Sequence, residues 1–151
     1  MIPIEHKEAK YINPLARFVT IAAIALLLKV DITQIKYIRC WARVVLVVGV
    51  KFSRFVSYAD LPPILAAEAP NTADIIRGRK RWIKNTHQAP QFWLNFYKQK
   101  FEQAVNVSQL YAWGQLVGLI KFGLSLVTVQ KLRHFYSDTK AKLENVLLMA
   151  A

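Results

Sequence analysis

Cysteine is almost missing from this sequence. Cys40 stands alone in 151 residues, so no internal disulfide can form and no oxidising compartment is implied. Acidic residues are also scarce. Nine Asp and Glu face 21 Lys and Arg, a formal net charge of +12. That imbalance suits an anionic partner, either a membrane rich in anionic lipid or a nucleic acid. His6, His87 and His134 are too far apart to suggest a metal site. Gly78 has no glycine neighbours, so there is no Gly-rich phosphate loop, and no Ser/His/Asp set can be argued. Five Gly and six Pro argue against a loop-rich or disordered chain. The expectation is a non-catalytic protein with no metal and no organic cofactor, binding anionic lipid such as cardiolipin.

What the chain has instead is apolar residues in blocks, 54% in all against 20% charged. A soluble fold would spread them at amphipathic spacing. The N-terminal stretch carries two acids, Glu5 and Glu8, and three bases, Lys7, Lys10 and Arg17, the last just inside the first block. No small-x-small cleavage site follows Leu26-Leu27-Leu28, and the acids argue against a transit peptide, so an uncleaved N-terminus is expected. Residues 15–28 are short for a membrane span, which needs about 17–25 residues. They read as an interfacial or re-entrant segment, or as a tilted span ending on Arg17 and Lys29.

Placed on a helical wheel, residues 31–58 gather Lys36, Arg39, Arg43, Lys51 and Arg54 in one arc. Ile38, Trp41, Val45, Val48, Phe52 and Phe55 occupy the other. This predicts a basic amphipathic helix in the headgroup plane, started by Asp31 or Thr33, its cations binding lipid headgroups. Leu61-Pro62-Pro63 stops it. A connector over 61–90 carries the densest basic cluster, Arg77, Arg79, Lys80 and Arg81, also assigned to headgroups. Pro70-Asn71-Thr72 marks a helix start and Ala89-Pro90 a break. From Gln91 an aromatic helix, with Phe92, Trp93, Phe96, Tyr97 and Phe101, reads as an interfacial belt. It either runs on into the apolar segment beyond it or is interrupted by a cap at Asn106 or Ser108. Residues 136–151 read as a short amphipathic tail. The whole is one membrane-associated chain, 1–151, divided at about 60, 90 and 135.

The segment 110–129 contains a single charge, Lys121, in twenty residues. A helix of that length would reach about 30 Å, one bilayer core. Tyr111, Gly114, Gly118, Lys121, Ser125 and Thr128 share one face at 100° per residue. Helices associate in membranes through small residues and polar groups, so this stripe predicts a helix-packing face on a transmembrane helix. Lys121 would need an acidic partner from another chain or a lipid, or would snorkel. The fold class expected is an all-α membrane protein with one span at 110–129, an in-plane helix at 31–58 and a short membrane segment at 15–28.

The order of Val45–Tyr58, Leu61-Pro62-Pro63, Phe92–Phe101 and Tyr111–Gly123 resembles the mitochondrial ATP synthase subunit g family, over roughly the last two-thirds of the chain. The family often carries an acid within its GxxxG stretch, where Gln115 stands here. Lys121 and the extra apolar run in the first sixty residues also depart from the pattern, as in a divergent or lineage-specific member. The resemblance implies an accessory, non-catalytic subunit of the membrane sector in the mitochondrial inner membrane. Such a subunit pairs with a subunit e-like GxxxG helix and aids assembly, dimerisation and cristae shaping. Alternatives are an accessory subunit of respiratory complex I or cytochrome oxidase. In another class stands a basic nucleic-acid-binding protein of ribosomal type, using Arg77–Arg81.

Overall fold

The computed structural model describes residues 2–6, 12–83 and 88–150. Lys7, Glu8, Lys10 and His87 lie outside the described residues. The chain divides into two compact units, Met1–Pro62 and Pro63–Ala151.

The first unit is built on a four-stranded mixed sheet in the order β1-β2-β3-β4, with β1 Ile4–His6, β2 Ile35–Cys40, β3 Val45–Gly49 and β4 Ser53–Val56. β1 and β2 are parallel, and the other pairs are antiparallel. Between β1 and β2 the chain forms a 3-10 turn, Pro14–Phe18, and helix α1, Ile21–Leu28. Thr20 caps α1 through the Ala23 amide at 3.1 Å, and Lys29 ends it in the left-handed conformation. Eight residues span only about 12 Å. Leu15, Phe18, Ala23 and Ile24 are buried in this unit's core with Ile38, Val45, Val47 and Tyr58. The apolar run 15–28 is therefore core material, not a membrane segment.

The in-plane helix expected at 31–58 is absent. Three strands stand in its place. Asp31 does cap, accepting from the Thr33 amide at 3.0 Å, but what it starts is a three-residue 3-10 turn. β-Branched residues crowd 44–50, and such side chains favour a pleated surface over a helix. Period two governs burial: Val45, Val47 and Gly49 point inward on β3. Two tight turns join the strands, closed by Trp41 N–H to Val44 C=O (2.9 Å) and Gly49 N–H to Phe52 C=O (2.8 Å). The Tyr58 hydroxyl donates to the Trp41 carbonyl. Burial pushes up the ionisation of both Cys40 and Tyr58, and the neighbouring thiol adds to the effect on Tyr58.

The second unit is helical: α2 Thr72–Trp82, α3 Phe92–Gln103, α4 Val107–Ile120 and α5 Leu126–Ala150. Asn71 caps α2 in a reciprocal pair with Asp74 (2.9 and 3.1 Å), and Asn106 caps α4 through the Gln109 amide at 2.8 Å. The aromatics of α3 are not an interfacial belt. Trp93, Phe96, Tyr97 and Phe101 are buried, and they form edge contacts with Trp82, Trp113 and Tyr136 at 5.3–6.4 Å between centroids. The Tyr97 hydroxyl donates to the Pro63 carbonyl at 2.8 Å, and full burial holds it protonated far above the usual phenol range. Residues 136–150, read as part of a separate tail, continue α5 without a break.

The span expected at 110–129 is also corrected. The chain bends there, and no helix among the described residues is long and apolar enough to cross a membrane. α4 has 14 residues, about 21 Å, against a core of about 30 Å. Three hydrogen bonds hold the bend. Leu124 N–H bonds Lys121 C=O in a 3-10 turn (3.0 Å). The Gly123 carbonyl, which a continuous helix would offer four residues on, accepts instead from Ala89 N–H at 2.7 Å. Ser125 Oγ accepts from Thr128 N–H at 3.1 Å and starts α5. Ser125→Ala should accordingly lower stability by about 1 kcal/mol, readable as a reduced midpoint in thermal denaturation.

Candidate functional site

The stripe singled out in the sequence lies at the α4–α5 hairpin, where its members have different fates. Gly114 is the close approach: a Cβ there would stand 2.6 Å from the ring of Tyr136 on α5. Gly118, one turn on, faces open space, with nothing within 4 Å of a Cβ. The GxxxG face thus packs within the chain at one glycine and opens a groove at the other. Ser125 and Thr128 are half-buried at the start of α5. Their hydroxyls bond each other at 2.8 Å and cap α5.

The groove has a volume of about 490 Å³. Phe101, Val117, Val129 and Leu132 give it apolar walls, and Tyr111, Gln115 and Ser137 contribute polar edges. Lys121 and Arg133 are its two cations, both exposed. Among the described residues neither has a carboxylate within 4 Å. Lys121 is exposed at the end of α4, so it needs no buried acid.

Beyond the groove, the hairpin bend exposes four large apolar side chains within nine residues. Leu119, Phe122, Leu126 and Val127 are each more than half exposed. Lys121 lies among them and Lys131 four residues beyond them. At the other end of α5, Val146, Leu147, Leu148 and Met149 are exposed as well, Met149 at 89%. Isolated exposed apolar residues are ordinary, but contiguous ones mark contact surfaces. The pattern could have been found in the sequence: Gly123 followed by Ser125-Leu126-Val127-Thr128 is a helix stop and a new cap.

The basic residues read as headgroup ligands are dispersed. In the sheet unit, Arg43 and Lys51 occupy the two turns, Lys36 sits at an irregularity of β2, and Arg54 is on edge strand β4. Arg39 pairs with Glu5 at 2.9 Å. These five do not share one arc. In the helical unit, Arg77, Arg79, Lys80 and Arg81 are exposed on α2, while Gly78 and Trp82 turn inward. Arg77 approaches the buried Asp74 at 3.8 Å. No group of three or more potential metal ligands occurs among the described residues.

Comparison with protein-family models, with curated proteins and with solved structures finds no match.

Proposed function

We propose that this chain is a non-catalytic accessory component of a membrane-bound assembly, held on an anionic bilayer surface and not across it. The observation that carries this is the α4–α5 bend, where Leu119, Phe122, Leu126 and Val127 are exposed beside Lys121 and Lys131 on a chain of net charge +12. Apolar side chains reach the boundary between headgroups and acyl chains, and each nearby cation adds about 1 kcal/mol at an anionic surface. Arg79, Lys80 and Arg81 on α2 supply further positive charge to the same unit. The exposed apolar end of α5 leaves a second contact surface for a partner subunit. Of the segments that carried the subunit g resemblance, Val45–Tyr58 is strand and Tyr111–Gly123 is no span, so the mitochondrial ATP synthase, complex I and cytochrome oxidase stand as equal candidates for the assembly. Co-purification separates these three.

Flotation with vesicles tests the surface attachment. The protein should float with equimolar phosphatidylcholine and phosphatidylglycerol, stay behind with phosphatidylcholine alone, and be released by high salt. Phe122→Ser combined with Leu126→Ser should weaken flotation at least about tenfold while leaving thermal stability almost unchanged. Equal binding to both vesicle types, or tighter binding to single-stranded RNA than to anionic vesicles, would sink the reading. The RNA result would favour a nucleic-acid-binding protein.

A further inference from the structure

We infer that the α4–α5 groove accommodates one acyl chain of an anionic phospholipid, its phosphate met by Lys121 and Arg133. This rests on the surface attachment proposed above, since the bilayer is the source of the lipid. The groove is of ligand size, about 490 Å³. Val117, Val129 and Leu132 in its lining are only 8%, 9% and 2% exposed, so a hydrocarbon chain would bury their remaining edges together with the more exposed rings of Tyr111 and Tyr136. Gly118 lines it at a point where a Cβ would meet nothing within 4 Å, so the space there is open. Both its charged groups are cations, with no described acid within 4 Å to neutralise them, so the complementary headgroup is negative. Lys121 stands at the hairpin bend itself, beside Phe122, which places the charged rim next to the side chains proposed to enter the headgroup layer. A lipid half drawn from the bilayer would thus meet a cation first and the apolar walls after it.

Isothermal titration calorimetry with lauroyl-lysophosphatidylglycerol, kept below its critical micelle concentration, tests this on the full chain. Lauroyl-lysophosphatidylcholine is the control of equal chain length. Saturable binding of one molecule is expected, at least about tenfold tighter for the glycerol lipid. Gly118→Phe fills the groove at an exposed helical position and should abolish that binding with folding intact. Lys121→Glu with Arg133→Glu should remove the preference for the anionic headgroup and leave chain binding in place. Unchanged affinity in Gly118→Phe, or a preserved preference after charge reversal, would overturn the assignment. The two proposals fail separately. A chain that floats with anionic vesicles but takes up no lysolipid loses the groove site alone. One that binds lysolipid but no vesicles loses the surface attachment, and with it the bilayer as the source of the lipid.

Discussion

Replacing Phe96 with alanine is expected to destabilise the helical unit by about 3–5 kcal/mol, a loss comparable to the whole stability of a marginal domain. Phe96 is 1% exposed, and its ring meets Tyr97 at 5.2 Å and Trp113 at 6.4 Å. Truncation removes this contact area and leaves a cavity that neighbouring rings cannot readily fill. In a unit of this size each kcal/mol shifts the melting temperature by about 4–8 °C, so the midpoint should fall by more than about 10 °C. The control is Phe122→Ala. That ring is 56% exposed at the bend, and its loss should change stability by no more than about 0.5 kcal/mol. If the aromatics of 92–101 formed an interfacial belt, Phe96→Ala would weaken membrane binding and spare the fold. Thermal melts of the two variants distinguish the arrangements.

The second prediction sets the two glycines of the GxxxG pair against each other. Gly118→Ala should stabilise the protein by up to about 1 kcal/mol, because alanine favours a helix interior by that amount and the added methyl meets nothing. Gly114→Leu enjoys similar propensity but must displace the Tyr136 ring, which would lie 2.6 Å from the first added carbon. Overpacking costs about 1–3 kcal/mol, and the longer side chain puts it at the upper end, so the net change is destabilising. A membrane helix that packs a partner along both glycines would respond in the same direction at each. Chemical denaturation reads both signs directly.

Helix ends were legible in the sequence because their signals are local. Asn71 caps α2 and Ala89-Pro90 lies between two helices, Asn106 caps α4 where a helix running on was the alternative, and Asp31, expected to start a long helix, caps only the turn that opens β2. The strands were not legible for an equally local reason. Their turns centre on Ala42-Arg43 and Val50-Lys51, without the Asn-Gly or Gly-Gly pairs that usually mark hairpins. With no visible punctuation, the basic residues of 36–54 fell into a helical arc by spacing alone. The weight of β-branched residues in 44–50 was the competing signal, and the structure follows it. At 110–129, hydropathy was read over a window that ran through a bend. The bend has a local signal, Gly123 followed by the cap Ser125, and is completed by a tertiary bond, Ala89 N–H to the Gly123 carbonyl, which no window along the sequence can contain. The groove was half visible. Tyr111, Gly114, Gly118 and Lys121 share a face by spacing and line it together, but the opposite wall is α5 of the same chain, and Arg133 on that helix completes the cationic rim.

A hairpin must persist at α4–α5 where a span was expected, including at a membrane. Its most direct test is a distance between spin labels on Gln115→Cys and Ser137→Cys, both exposed, with the buried Cys40 replaced by alanine. The distance is measured by double electron–electron resonance on protein bound to anionic vesicles. Antiparallel packing of α4 and α5 predicts a short separation, set by an interaxial distance of about 8–10 Å plus the label arms. A continuous helix through 110–137 would place the two positions about 33 Å apart along its axis, and a distribution centred there would contradict the hairpin.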